Sequence, residues 1–435
     1  MLPILSALVL QAAYGAVDLM VVGRFGSIPG LSAVSTGGQV LNLITFAVTQ
    51  LATGVTVLIA RFIGEKRQHN IGAIIGGSAT LFAIISSVIL IIMLVLATPI
   101  ARLMQAPREA LEKTTAYIRI CGGGIFFIVA YNFLSAIFRG LGDSKSPLVF
   151  VLVACIVNII GDLVLVAGLK MDAAGAAIAT VFAQAVSVVF AVILLLKRKL
   201  PFEITARDFR INEHCIRAFK IGLPLAFQEM MAQLSFVALC AFVNRLGLQA
   251  SSGYGVACKI VNFVMLIPGA LMQSMASFVS QNIGAGFEKR AKTAMLTGIG
   301  VGIVVGGIIS AFVILRGNLL TELFTVDMGV AKNGFAYLKG FALETVASSI
   351  LFSIMGYLSG KGKTIWVMML GLVQTFLVRV PFAYYMSVQP NASLTKIGLA
   401  SPVSSLFGIV LCIIFFAYSA RKEKGIYTTG QAKTL

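Results

Sequence analysis

Apolar residues in this chain come in long runs, without the stripes or alternations of a soluble fold. Charged residues and Gly/Pro breaks separate six runs at about 2–22, 32–60, 71–100, 114–138, 147–169 and 173–196. After a polar stretch six more follow, at 221–244, 250–279, 293–315, 333–358, 364–388 and 396–420. A helix needs about 20 apolar residues to cross the roughly 30 Å hydrocarbon layer, and extra length permits tilt. The pattern predicts an all-α integral membrane protein with twelve transmembrane helices. The first run has no basic segment before it and contains Asp18, so it reads as a span and not as a signal peptide.

Composition narrows the class. The 435 residues are 58% hydrophobic and 11% charged, against roughly 25% charged in soluble domains. A soluble enzyme, a disordered chain and a secreted disulfide scaffold are excluded. Six cysteines form no CxxC pair, and five lie inside apolar runs, where a small apolar thiol is the simplest reading. The net charge of +18 would suggest nucleic acid in a soluble protein, so its location decides. Segments that follow even-numbered spans, on the side of the N-terminus, hold 21 of the 34 basic residues, and the opposite segments hold nine. The other four (Arg119, Lys259, Lys339, Arg379) fall inside spans. The positive-inside rule places both termini in the cytoplasm of a cell membrane. The charge is an orientation signal, and no nucleic-acid partner is expected.

The chain repeats itself. Pro3 and Gly26 recur as Pro224 and Gly247 at an offset of 221; Asn42, Gly64 and Tyr117 recur as Asn262, Gly284 and Tyr337 at 220. Gly140-Leu141-Gly142 recurs as Gly360-Lys361-Gly362, also at 220. Gly64-Glu65-Lys66-Arg67 aligns with Gly284 and Glu288-Lys289-Arg290 if Ala285-Gly286-Phe287 is an insertion. A constant offset over more than a hundred residues marks a duplication. Six spans per repeat return the chain to its starting side, so the repeats are parallel, with a central site expected between two rocking halves. The expected divisions are an N-lobe at 1–196, a basic cytoplasmic linker at 197–220, a C-lobe at 221–420 and a cytoplasmic tail at 421–435.

Ionisable groups inside a membrane are functional candidates by default. Of the acids, only Asp18, Asp162, Glu229 and Glu344 lie well inside spans. Gln11 and Tyr14 share a helical face with Asp18. Asn158 and Asp162 are four residues apart, as are Thr180 and Gln184. Two carboxylates, two amides and a hydroxyl form an oxygen-rich set suited to a small hard cation or a proton. A lone Asp near a helix end is equally well a tolerated, hydrogen-bonded group, but the pairing of Asn158 with Asp162 beside Thr180 favours ion coupling. At the repeat offsets Asp18 falls on Leu239, Asn158 on Val378 and Asp162 on Phe382. The scaffold is duplicated and the polar cluster is not, which argues against a purely structural role. In the second half, Lys259 is a candidate to neutralise one of the acids, and Arg379 is expected to snorkel or meet backbone carbonyls.

The residues resemble the multidrug and toxic compound extrusion (MATE) family of cation-coupled antiporters over nearly the whole chain. The likeness rests on Val17-Asp18-Leu19-Met20-Val21-Val22-Gly23-Arg24, Arg139-Gly140-Leu141-Gly142-Asp143, Asn158-Ile159-Ile160-Gly161-Asp162, Gly175-Ala176-Ala177-Ile178-Ala179-Thr180 and Gln281-Asn282-Ile283-Gly284-Ala285-Gly286, in that order. The resemblance implies two six-helix lobes in a V. It also implies export of amphipathic organic cations (drugs, dyes, toxins) in exchange for Na⁺ or H⁺, with no other cofactor and no enzymatic reaction. By motif, Asp18, Asn158, Asp162 and Thr180 match the family's N-lobe cation residues, Glu229 and Glu344 resemble C-lobe carboxylates of one branch, and Pro3 resembles a helix-bending proline. Family members usually carry a cytoplasmic stretch before helix 1, whereas this chain starts almost at the helix, so a truncated sequence is left open. Tyr14, Gln184, Phe263 and Met265 are cavity candidates, since Phe and Met suit an adaptable apolar site. The expected partners are small organic substrates and the bilayer, and the working unit is expected to be a monomer. Two rivals are a lipid-linked oligosaccharide flippase of the same superfamily, which would call for a cavity rich in Arg and Lys, and a non-transporting receptor or scaffold. Gly362-Lys363-Thr364 resembles the end of a phosphate-binding loop, but Tyr357 stands where that loop needs Gly.

Overall fold

The computed structural model describes residues 1–197, 202–325 and 327–431, with side chains as far as Tyr418. Arg198, Lys199 and Lys433 of the charge count lie outside the described residues, as do the side chains of Arg421, Lys422 and Lys424 in the tail. Every regular element among the described residues is helical. Among the described residues ten helices are long and apolar enough to cross a membrane, and two bent pairs bring the spans to twelve. The first six are α1 (Leu2–Phe25), α2 (Ile28–Gly64), α3 (Gln68–Val95), α4 (Arg108–Gly123 with Ile125–Gly140), α5 (Lys145–Gly168) and α6 (Asp172–Lys197). The second six are α7 (Glu213–Asn244), α8 (Leu248–Gly284), α9 (Glu288–Glu322), α10 (Met328–Phe341 with Glu344–Gly360), α11 (Thr364–Ser387) and α12 (Leu394–Tyr418).

Several helices run past their apolar stretches because polar caps extend them. The last eight residues of the expected linker, 213–220, are the first two turns of α7. Asn212 starts that helix: its Oδ1 accepts from Cys215 N at 2.9 Å, while its Nδ2 donates to Ala73 O on α3 at 2.8 Å. A side-chain acceptor before the first turn satisfies a helical N–H that has no backbone partner.

The duplication is visible in backbone detail. α4 bends by 53° at Gly124 and α10 by 45° just before Glu344, its equivalent at 220. α4 ends with Gly142 N donating to Arg139 O and Asp143 N to Phe138 O. α10 ends with Gly362 N donating to Ser359 O and Lys363 N to Leu358 O. Gly142 and Gly362 have φ of 82° and 78°, the left-handed cap that glycine adopts freely. The ends of α2 and α8 correct the sequence alignment. Lys66 N donates to Ile63 O and Arg67 N to Phe62 O, and Gly286 N donates to Ile283 O and Phe287 N to Asn282 O. Lys66 and Gly286 therefore hold the same cap position, at φ of 58° and 78°, and the three-residue insertion does not exist. The similar residues Glu65-Lys66-Arg67 and Glu288-Lys289-Arg290 therefore sit at different positions relative to this cap.

The chain folds as two compact units that interleave in sequence. The first comprises Met1–Met230, Gln273–Ala294 and Gly356–Ile365, and the second Met231–Met272, Met295–Met355 and Trp366–Leu435. Compactness thus divides the chain differently from the repeat boundaries at 1–196 and 221–420. Within the first unit the ends of α2 and α8 pack reciprocally: a Cβ on Gly64 would collide with Gln281 O, and one on Gly284 with Arg61 O. Arg61 and Gln281 are themselves repeat equivalents. Lys361 in the α10–α11 turn pairs with Glu288 at the start of α9. Burial lowers the pKa of Lys361, but the hydrogen bond and charge of Glu288 together with Tyr357 outweigh it and hold it above the ordinary lysine value. The core of the first unit runs from Val22 and Val55 through Phe62, Ile118 and Phe138 to Phe150; that of the second gathers Leu239, Tyr254, Tyr337 and Phe341.

Candidate functional site

α1 is a loosely covered helix whose buried residues are Ile4, Asp18, Val21 and Val22. It lies against α5 and α6, and these three helices bring the predicted oxygen set together. Asp18 is 5% exposed, Asn158 and Asp162 are 0% and Thr180 is 2%. Thr180 Oγ1 donates to Asp18 Oδ2 at 3.2 Å, and Asp162 and Asn158 sit against the same carboxylate. Asp18 Oδ1, both Asp162 oxygens and both polar atoms of the Asn158 side chain are buried without a well-formed hydrogen bond among the described residues. Each such group ordinarily costs about 1–3 kcal/mol, so five in one place are an unusual concentration. Two facing carboxylates repel, and a positive charge placed between them relieves the repulsion. The donors present, carboxylates with an amide and a hydroxyl, fit a proton or a small hard cation. α5 passes into a π turn at Leu163–Gly168, directly after Asp162; such turns re-aim side chains and recur at functional positions.

The weaker candidates separate. Gln184 is 6% exposed. Tyr14 and Gln184 line a narrow cleft with Gln11, Tyr131, Val151 and Ala154. Phe263 and Met265 belong to the second unit and do not line that cleft. Phe263 is exposed, and Met265 Sδ accepts from Ser348 Oγ at 3.8 Å. Pro3 sits in the first turn of α1, where it displaces no helical hydrogen bond.

Glu229 and Glu344 fall in different compact units. Glu229 accepts from Gln50 Nε2 of α2 at 3.5 Å. Glu344 is 2% exposed and opens the second half of α10, a helix N-terminus being favourable for a carboxylate. Its Oε1 accepts from Ser405 Oγ of α12 at 2.9 Å. Arg379 acts on it electrostatically, and its burial corrects the expectation that it snorkels. Lys259 is exposed, and Arg379 is 8% exposed and does not snorkel. Arg379 lies at the end of a π turn in α11, donating to Ser404 Oγ at 3.4 Å and Ser235 Oγ at 3.5 Å, with the Phe236 ring 5.3 Å away. The serine stripe Ser401, Ser404 and Ser405 on α12 was the available sequence signal, since serines at helical spacing in an apolar run mark a polar seam.

Sequence reading also missed a clasp at the opposite end of the first unit. Asp172, at φ 52°, begins α6. Its Oδ1 accepts from Ser27 N at 3.1 Å, and its Oδ2 from Ser27 Oγ at 2.6 Å and Lys113 Nζ at 2.5 Å. A Cβ on Gly30 would collide with this carboxylate, so the α1–α2 turn reaches it only because glycine is there.

The MatE family model matches residues 3–164 and again 224–385. The chain belongs to the MatE family. The two matches start 221 residues apart, which is the internal repeat itself. The probable multidrug resistance proteins YoeA and YpnP of Bacillus subtilis (strain 168) are 24% and 25% identical to this chain. Each alignment covers 98% of the chain, and 93% and 95% of the relatives respectively. The multidrug export protein MepA of Staphylococcus aureus (strain N315) is 23% identical over 86% of this chain and 83% of its own. A solved outward-facing conformation of a multidrug resistance MATE family transporter superposes with a TM-score of 0.89 at 22% identity, covering 97% of this chain and 95% of that one. A MATE structure in a straight conformation gives 0.90 at 22% identity with the same coverage. These likenesses show the MatE fold of twelve helices in two repeats, and with it a multi-pass membrane protein.

Proposed function

We propose that this MatE protein is a secondary antiporter that exports amphipathic organic compounds, cationic ones among them, in exchange for Na⁺ or H⁺. The observation that carries the reading is the meeting of Asp18, Asn158, Asp162 and Thr180 from three helices in a buried oxygen cluster. Asp18 and Asp162 hold the coupling charge, as a proton shared between two carboxylates or as Na⁺ among oxygens. Asn158 and Thr180 complete the donor set. Reciprocal coupling then requires that the ion and the organic substrate favour opposite conformations, so that each promotes release of the other. Multidrug resistance and export are what the names of the relatives state, and they support the substrate class. In this reading both termini are cytoplasmic, the membrane is the cell membrane, and one chain suffices for transport.

Dye efflux from everted vesicles, with Na⁺ and pH gradients imposed separately, tests the proposal and identifies the ion. Asp162→Asn is expected to abolish gradient-driven efflux while the purified protein keeps its melting transition. Efflux in that variant with undiminished gradient dependence would overturn the assignment.

A further inference from the structure

The segment that joins the two repeats is fitted to α3 more closely than a tether requires. Thr205 and Asp208 close a capping box around a short turn at Ala206–Phe209. Thr80 Oγ1 of α3 donates to Phe209 O at 2.5 Å, and Asn212 Nδ2 donates to Ala73 O at 2.8 Å. Three glycines of α3 make room for the contact: a Cβ on Gly72 would collide with Glu203 O, one on Gly76 with Asp208 and one on Gly77 with Asn212. Phe202 and Cys215, at the two ends of the segment, are buried.

This docking holds the segment at the level where α3 enters the membrane. α3 has 28 residues and about 20 suffice to cross the hydrocarbon layer, so counting back from Val95 puts the boundary near Gly76. Exposed apolar side chains on α3 begin at Ala83 and Ile84, one turn beyond Thr80. At that level Phe209 is 50% and Ile211 51% exposed. Arg210 between them is extended, at φ −77° and ψ 145°, so the two apolar side chains leave the backbone on one side. Downstream, Ile216, Lys220, Leu223 and Phe227 are exposed at helical spacing, which continues the face along α7 into its span. Arg207 and Arg210 are exposed, and among the described residues neither has a carboxylate within 4 Å. Asp208, next to Arg207, is turned to the cap, its Oδ2 accepting from Thr205 N at 2.7 Å and Thr205 Oγ1 at 2.8 Å.

Apolar side chains flanked by arginines at a water–lipid boundary have the composition of an interfacial anchor, and anionic headgroups are the complementary charge. A planar guanidinium engages phosphate with two parallel hydrogen bonds. We propose that residues 204–212 anchor the protein in the headgroup layer of the adjacent leaflet. Phe209 and Ile211 enter the acyl boundary, and Arg207 and Arg210 hold the phosphates of anionic lipids. Lipid bound there bears on α3 and on the start of α7, the two helices that the segment connects by its hydrogen bonds.

The test uses full-length protein reconstituted in bilayers. Trp366 is the single tryptophan, so Trp366→Phe combined with Phe209→Trp reports from the segment alone. Brominated phosphatidylglycerol is expected to quench the Phe209→Trp indole in preference to brominated phosphatidylcholine. The preference should be about fivefold, the effect of one arginine near an anionic surface. Arg207→Gln with Arg210→Gln should remove the preference and leave the quenching by both lipids. Ile211→Trp takes the place of Phe209→Trp if that variant does not fold. Quenching by aqueous acrylamide and by neither lipid would overturn the proposal and leave the surface to a water-soluble partner. Equal quenching by the two lipids with both arginines present, or a preference that survives their removal, also overturns it. The readout is lipid contact, so its failure leaves the antiport reading standing.

Discussion

Asp18 is one of only four buried residues on α1, and its single well-formed hydrogen bond comes from Thr180. Thr180→Val keeps the shape and removes that donor. Net hydrogen bonds to a charged group contribute about 1.5–3 kcal/mol, so the variant should retain efflux with the Na⁺ or H⁺ dependence displaced by at least about tenfold in concentration. Efflux titrations against each ion check this, and an unshifted curve would remove Thr180 from the ion site. Arg379 and Glu344 form the other buried charge system. Arg379→Met leaves the Glu344 carboxylate without its cation and should lower the melting temperature. Adding Glu344→Gln should recover part of the loss, because the uncompensated charge is then gone. Additive losses in that cycle would mean the two groups do not interact. The acids were legible in the sequence because charges are rare in apolar runs. The burial of Arg379 was not, because it depends on α12 and α7 supplying Ser404 and Ser235.

At the scale of elements, α1 and α6 must hold their relative register for Asp18 to meet Thr180. The clasp of Ser27, Lys113 and Asp172 joins the α1–α2 turn and α4 to the start of α6, eight residues or about 12 Å along α6 from Thr180. Asp172→Ala removes three hydrogen bonds of a largely covered carboxylate and should destabilise the protein by about 1–3 kcal/mol. Lys113 is 41% exposed on its side chain, so Lys113→Ala should cost under about 1 kcal/mol. Thermal melts in detergent compare the two, and a larger effect at Lys113 would contradict the assigned geometry. The helices themselves were readable from apolar run length. Their true ends were not, because α7 begins two turns early on an Asn212 cap, and caps depend on local hydrogen bonds that hydropathy does not register.

At the scale of the molecule, duplication is strongest where helices cap and touch, and absent where the polar clusters lie. The π turns follow the same division: 163–168 in α5 and 373–379 in α11 are not equivalent at the repeat offset. Gly64 and Gly284 show how closely the repeated ends pack, each against a backbone carbonyl of the other helix. Gly64→Ala and Gly284→Ala should each force α2 and α8 apart, lowering the melting temperature and efflux. The double variant should fall short of the sum, since one displacement accommodates both methyl groups. Full additivity would show that the two glycines do not share one contact.

The sequence by itself determined the membrane class, the twelve spans, the six-plus-six repeat and the acids that carry the proposed chemistry. Each follows from a local property: the length of an apolar run, a recurring offset, or a charge where charge is expensive. Only the tertiary structure decided that Asp18, Asn158, Asp162 and Thr180 converge and that Arg379 is buried against Ser404, Ser235 and Phe236. Those facts depend on which helix faces which, and no single helix encodes its neighbour.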